Sequence, residues 1–293
     1  MRGKNLKPNS TFKTKLGLPF VFLLCIFFFL LGFFGSNLIA QDQEFSGDGR
    51  AIERRLESTK EQTEYELLLT GETGDDSITE IPFQVLSWNP RALYFPNFAT
   101  AEQCDSIVSL AEPSLRPSSL ALRKGETEDN TKGIRTSSGM FISAFEDQTG
   151  TLEVIEEKIA RATMIPRIHG EPFNILRYNL GQKYDSHYDA FNAEEYGPQK
   201  SQRAASFLLY LSDVQEGGET MFPFENGLNM NGNYNYEDCI GLKVKPRKGD
   251  GLLFYSLFPN GTIDPTSLHG SCPVTKGEKW VATKWIRNQE FED

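Results

Sequence analysis

The chain is poor in the side chains that most often hold metals or form cross-links. Its 293 residues include three histidines and four cysteines. No Cys-x-x-C occurs, which argues against a structural zinc site. No internal repeat is visible. The first 40 residues contain no Asp or Glu but carry Arg2, Lys4, Lys7, Lys13 and Lys15. The remainder holds 25 of the 30 bases and all 40 acids, a net charge of −15. Nucleic-acid binding wants basic patches, so that balance argues against it. An acidic surface serves solubility, and it modestly favours basic protein substrates.

What is present begins with an apolar run over residues 16–40. From Leu16 to Gly35 it carries no charge, about the length of a helix that spans a bilayer. A cleaved signal peptide is the rival reading. Its apolar core would be shorter, about 7–15 residues, and would end at a small-x-small site. The longer run and the lack of a clean Ala-x-Ala favour an uncleaved anchor. Basic residues precede it, while Asp42, Glu44 and Asp48 follow. Positive flanks stay cytoplasmic. The expectation is a single-pass type II protein with a cytoplasmic tail (1–15), an anchor (16–40) and a lumenal remainder. Cys25 lies in the span. Cys104, Cys239 and Cys272 then meet an oxidising compartment, where one disulfide plus one free thiol is the simple arithmetic.

Residues 41–80 are polar and acidic. They read as a stem, with a charged helix over 50–69 that self-associates, or as a disordered linker. The globular domain is expected over 81–293. Thr100-Ala-Glu-Gln103 is a capping box. Cys104, Ile107, Val108 and Ala111 then line one helical face, which makes Cys104 a packing residue. A second helix is expected over 151–163, with Leu152, Ile155, Ile159 and Ala162 at helical spacing. Between them, residues 123–136 are polar and contain glycine, as suits a mobile lid. From Pro172 onward the signal changes to strands. Runs at 173–179, 204–211, 241–245, 251–256 and 280–286 are short and rich in β-branched or aromatic residues, with glycine turns between. That pattern indicates a sandwich or barrel. Helices first and strands after give an α+β fold.

Two of the three histidines stand in a suggestive arrangement. In a strand, side chains two apart share a face, so His187 and Asp189 can point into one cavity. His269 follows on a later strand and Lys279 on the next. Taken alone, His-x-Asp is weak, and a lone histidine is more often a hydrogen-bonded core residue. Together, two imidazoles and one carboxylate make a facial set for Fe(II) with open positions opposite. His169, in a turn outside the strand set, receives no metal role.

The strings Arg177-Tyr-Asn-Leu-Gly-Gln-Lys-Tyr-Asp-Ser-His-Tyr-Asp189, Glu216-Gly-Gly-Glu-Thr220, Lys245-Pro-Arg-Lys-Gly-Asp250, Asp264-Pro-Thr-Ser-Leu-His-Gly-Ser-Cys-Pro273 and Lys279-Trp-Val-Ala-Thr-Lys-Trp285 resemble the Fe(II)/2-oxoglutarate dioxygenases. More narrowly, they resemble the plant-type prolyl 4-hydroxylases, membrane-anchored enzymes of the secretory pathway. The resemblance spans residues 86–287. It implies a double-stranded β-helix (jelly-roll) core with supporting N-terminal helices. It implies Fe(II), 2-oxoglutarate, O2 and ascorbate as cofactors and cosubstrates, and proline-rich secreted proteins as substrates, met in the endoplasmic reticulum or Golgi. His187, Asp189 and His269 match the iron ligands. Lys279 matches the residue that pairs with the distal carboxylate of 2-oxoglutarate, and Tyr178 a tyrosine that helps hold it. Tyr184, Arg203 and Trp285 match positions along the peptide groove. Thr283, two residues from Trp285, is expected to face the same cavity. The family also suggests a Cys239–Cys272 disulfide.

Loops 123–136 and 191–202 are the candidates for closing over a peptide. Asn260-Gly-Thr262 is a glycosylation sequon on a turn. The stretch 222–238 departs from the family pattern. No cysteine follows Cys272, so the Cys-rich module that some members carry is not expected. A dioxygenase acting on another residue, such as lysine, is the nearest alternative. A non-catalytic lumenal binding subunit is the alternative from another class; the complete ligand set argues against it.

Overall fold

A computed structural model describes residues 80–291. All of them belong to one compact unit, Glu66–Asp293. The tail, the anchor and the stem lie outside the described residues, as does Cys25. Among the described residues no helix is long and apolar enough to cross a membrane.

In chain order the elements are β1 (Gln84–Trp88), β2 (Arg91–Phe95), α1 (Ala101–Ala111), β3 (Arg116–Pro117), β4 (Ser138–Ile142), α2 (Thr151–Thr163), β5 (Phe173–Tyr178), β6 (Tyr184–His187), α3 (Ala193–Tyr196), β7 (Arg203–Tyr210), β8 (Glu216–Gly217), β9 (Thr220–Phe222), β10 (Leu242–Val244), β11 (Gly251–Tyr255), β12 (His269–Ser271), β13 (Val274–Lys276) and β14 (Lys279–Arg287). Eight strands form the major sheet, in the order β1-β2-β11-β7-β14-β5-β4-β3. Four form the minor sheet, β10-β9-β12-β6, and β13 pairs with β8.

The alternation of side chains along each strand builds two cores. On one face of the major sheet Phe173, Ile175, Phe207, Leu209, Leu253, Trp280 and Ala282 meet Cys104, Ile107 and Ala111 of α1 and Leu152, Ile155 and Ile159 of α2. On the other face Leu176, Tyr178, Leu208, Tyr210, Leu252, Phe254 and Val281 meet Phe222, Val244 and Val274. The result is helices, major sheet and minor sheet in three layers, a jelly-roll core backed by helices. Thr100 and Gln103 cap α1 reciprocally, each side chain bonding the other's backbone N–H. At Gly217 (φ +74°) a Cβ would collide with the Pro273 carbonyl, so only glycine lets β8 approach β13.

Three sequence expectations need correction. Strands do not wait for the helices: β1 and β2 precede α1 and extend the major sheet through β11. β6 ends at His187, so Asp189 lies beyond the strand and strand parity does not set its direction. Lys279 opens β14, and β13 intervenes between it and His269.

Candidate active site

The site lies between the two sheets. His269 on β12 and His187 on β6 are direct register partners across an antiparallel pair, which brings their side chains together. The register shifts along that pair, with Tyr184 opposite Ser271. This irregularity lets Tyr184 stack on His187, with ring centroids 3.6 Å apart and planes at 17°.

Asp189 approaches both imidazoles. Its Oδ1 lies 3.7 Å from His187 Nε2 and its Oδ2 3.5 Å from His269 Nε2. One ligand atom from each of the three lies within 4.8 Å of the others. The ring tautomers follow from the neighbours. His187 Nδ1 is 2.8 Å from the Asp185 carbonyl and His269 Nδ1 is 3.0 Å from the Ser267 carbonyl. A carbonyl only accepts, so each Nδ1 carries the proton and each Nε2 keeps its lone pair toward Asp189. Ser206 Oγ donates to Asp189 Oδ2 and fixes the carboxylate. Burial, and then His269, push His187 down to about 3. Burial opposes ionisation of Asp189, but His269, His187, Arg203 and the Ser206 hydroxyl outweigh it and hold the carboxyl at about 2. Neutral imidazoles and an ionised carboxylate are the forms that bind a divalent metal. This donor set fits a ferrous ion.

Across the gap stands Lys279, 2% exposed on β14. Its Nζ donates to Ser271 Oγ at 2.9 Å and lies 5.3 Å from the Tyr178 ring centroid. Among the described residues no carboxylate forms an ion pair with it. Burial pushes its pKa down to about 7, with Glu219 pulling weakly the other way. A buried ammonium without an acid partner is a receptor for one. Tyr178 is buried, which pushes its hydroxyl pKa up, with Arg135 and Ser137 near enough to oppose the rise. Thr283 shares the strand face of Lys279 and Trp285, and it is buried.

A second wall extends from this centre. The Arg203 guanidinium stacks on Trp285 at 3.7 Å from the ring centroid. Glu171 clamps it through Nε and Nη2 at 2.8 and 2.7 Å and also accepts from Arg287 Nε. Phe141, exposed, lies 6.2 Å from the Trp285 ring. The indole Nε1 of Trp285 is buried without a hydrogen-bond partner. Above this wall the two lid candidates touch: Arg123 pairs with Glu195 at 3.0 Å, and Lys124 N donates to the Glu195 carbonyl.

The structure thus brings together His187, Asp189, His269, Lys279, Tyr178 and Tyr184, with Arg203, Trp285 and Thr283 beside them. His169 stays apart, bonded to the Arg287 carbonyl. Cys239 and Cys272 form a disulfide, and Cys104 is a buried free thiol. Asn260 sits exposed on its turn. Sequence reasoning missed Ser206, Ser271, Arg135 and Glu171. Ser206 and Ser271 carried a usable signal, since alternation along β7 aims the first at the site and Ser271 stands two residues from His269 on β12.

The family model of the 2OG-Fe(II) oxygenase superfamily matches residues 173–287. Probable prolyl 4-hydroxylase 9 of Arabidopsis thaliana is 67% identical, covering 96% of this chain and 97% of its own length. Prolyl 4-hydroxylase 13 of the same plant is 57% identical, covering 95% and 97%. Among solved structures, a viral collagen prolyl hydroxylase from Paramecium bursaria chlorella virus 1, in complex with 2OG, aligns with a TM-score of 0.50 and 25% identity, over 67% of this chain and 95% of that one. Fold and site are those of an Fe(II)/2-oxoglutarate oxygenase. Within that superfamily the chain belongs to the plant-type prolyl 4-hydroxylases.

Proposed function

We propose that this enzyme converts peptidyl proline to 4-hydroxyproline in proteins of the secretory pathway, with oxidative decarboxylation of 2-oxoglutarate to succinate and carbon dioxide. The observation that carries this reading is the pairing of two facing imidazoles and a carboxylate with one buried, unpaired lysine across the same gap. His187 Nε2, His269 Nε2 and Asp189 would hold Fe(II). When bound, the ion supplies, with 2-oxoglutarate and O2, the oxidising power that the side chains lack. Lys279 is a point charge suited to the distal carboxylate of 2-oxoglutarate; Tyr178 and Thr283 shape its pocket. Ser206 and the Asp185 and Ser267 carbonyls keep the three ligands aimed.

Tyr184, Arg203 and Trp285 would line the peptide path. Extended proline-rich segments dock on aromatic surfaces, and the unpartnered Trp285 Nε1 suits a peptide carbonyl. Ascorbate, a reductant that returns ferric iron to the ferrous state, would complete the set. The uncharged run at 16–35, with bases before it and acids after it, supports a type II anchor in the endoplasmic reticulum or Golgi membrane and a lumenal catalytic domain. The stem, 41–80, is then free to self-associate, and Asn260, exposed on a turn, would meet the glycosylation machinery.

The test is carbon dioxide release from labelled 2-oxoglutarate, with and without a poly-proline peptide, and mass spectrometric mapping of the product. Release stimulated by the peptide, with oxygen added at proline, supports the reading. Release that no proline peptide stimulates points to another residue such as lysine. No release points to a binding subunit.

A further inference from the structure

The stretch 222–238, which departs from the family pattern, is not a loose excursion. The Ser186 N–H donates to the Tyr236 carbonyl at 3.0 Å. Ser186 Oγ and Tyr234 Oη lie 2.8 Å apart, and Tyr234 Oη donates to the Asp238 carbonyl at 3.0 Å. The Cys239–Cys272 disulfide closes the segment. So anchored, it presents aromatic faces. Tyr234 packs against Phe224 at 5.3 Å and against Tyr236 at 5.4 Å. Tyr236 keeps 53% of its surface exposed. Tyr188, two residues after Ser186, sends its hydroxyl elsewhere, to the Pro265 carbonyl at 3.0 Å.

The position of this shelf identifies its occupant. β6 is the end strand of the minor sheet, and Ser186 immediately precedes His187. The Asp185 N–H donates to the Ile134 carbonyl of the first lid loop, while the next N–H, that of Ser186, takes Tyr236. Lid and shelf therefore dock on consecutive residues of the strand that carries a site histidine. Lys183 ties them further, reaching Asp185 at 2.8 Å and Glu237 at 3.8 Å while its carbonyl accepts from Thr136 N. A chain in polyproline II conformation advances about 3.1 Å per residue, and neighbouring strands lie about 4.8 Å apart, so a substrate would reach the shelf within about four residues of the reacting proline.

Resting on the hydroxylase reading above, we propose that Tyr236, with Tyr234, forms an outer subsite that binds the proline-rich segment flanking the hydroxylated residue. These rings stand at 57–68° to one another, and an exposed aromatic face takes proline without demanding a side-chain sequence. Glu237 and Asp238 line the segment, and no Lys or Arg occurs between 224 and 242. Lys183 offsets Glu237, and the exposed Asp238 remains as the acid that favours proline-rich chains carrying lysine or arginine.

The test compares a long proline-rich, lysine-containing peptide with a short one that ends beside the reacting proline, on the full chain. Tyr236→Ala removes an exposed ring while its backbone carbonyl still holds Ser186. We expect the ratio of kcat/KM for the long peptide to that for the short one to fall about fivefold, through KM, as suits loss of one aromatic contact. Tyr236→Phe should keep the ratio, and Phe145→Ala, on an 88% exposed ring outside the shelf, should not move it. A wild-type ratio in Tyr236→Ala overturns the proposal. If no proline peptide is turned over, the hydroxylase reading fails. Binding of the labelled long peptide, read by fluorescence anisotropy, then decides the shelf alone: weaker binding by Tyr236→Ala supports it and equal binding overturns it.

Discussion

At the residue scale the account turns on Lys279 and the groups that aim the three ligands. Lys279→Ala removes the cation that would face the distal carboxylate. The KM for 2-oxoglutarate should rise by two orders of magnitude or so, as loss of a buried charge partner costs about 2–4 kcal/mol. Metal binding should persist, which calorimetric titration checks. The same lysine predicts a pH dependence. Burial holds its pKa at about 7, and a bound carboxylate raises it. Below pH 7 the ammonium is already present and affinity is at its ceiling. Above pH 7 binding must take up a proton, so the dissociation constant should rise about tenfold per unit. A flat profile from pH 7 to 9 would contradict the assignment. Ser206 gives an independent prediction. Ser206→Ala frees the Asp189 carboxylate and should weaken divalent-metal affinity about tenfold, the low end for groups that orient a ligand.

At the element scale, what the sequence made visible depended on burial. α1 announced itself by a capping box and a buried stripe, and the observed helix carries both. α2 runs over the residues its apolar spacing marks. β5, β7, β11 and β14 are nearly continuous apolar runs because both faces of the major sheet are covered. β1 is an edge strand with one buried residue in five, and β4 starts in a polar Ser-Gly pair. Neither carries a core signal: β1 is held by its hairpin partner β2, and β4 by its pairing with β5, more than 30 residues on. The structure does bring the His-x-Asp pair together with His269, but strand alternation is an incomplete reason for it. β6 stops at His187, and Asp189 is aimed by Ser206 rather than by parity. The disulfide ties the shelf loop to β12, which begins with His269, across a separation of 33 residues. A Cys239→Ser, Cys272→Ser double variant should lose about 2–5 kcal/mol of stability, read as a lower urea midpoint of the folded domain.

At the scale of the whole molecule, the three layers explain why the site can be dry and rigid. Helices brace one face of the major sheet, and the minor sheet closes the other over the metal-binding side chains. Loops 123–136 and 191–202 meet above the entrance through Arg123 and Glu195. The family-matched strings fall on β5–β6, β8–β9, the turn before β11, β12 and β14, which build this chamber. The residues outside those strings brace it and set its rim. The central claim is that one ferrous ion, gripped by His187, Asp189 and His269 with the oxo acid tethered to Lys279, oxidises proline in a peptide. The most direct measurement is intact-mass analysis of a proline-rich peptide incubated with the enzyme, iron, 2-oxoglutarate and oxygen, alongside Asp189→Ala. The account predicts one added oxygen atom on proline for each succinate formed, absent without iron or 2-oxoglutarate and absent in the variant. Oxygen transfer that survives in Asp189→Ala, or peptide-stimulated succinate with no oxygen on proline, would contradict it.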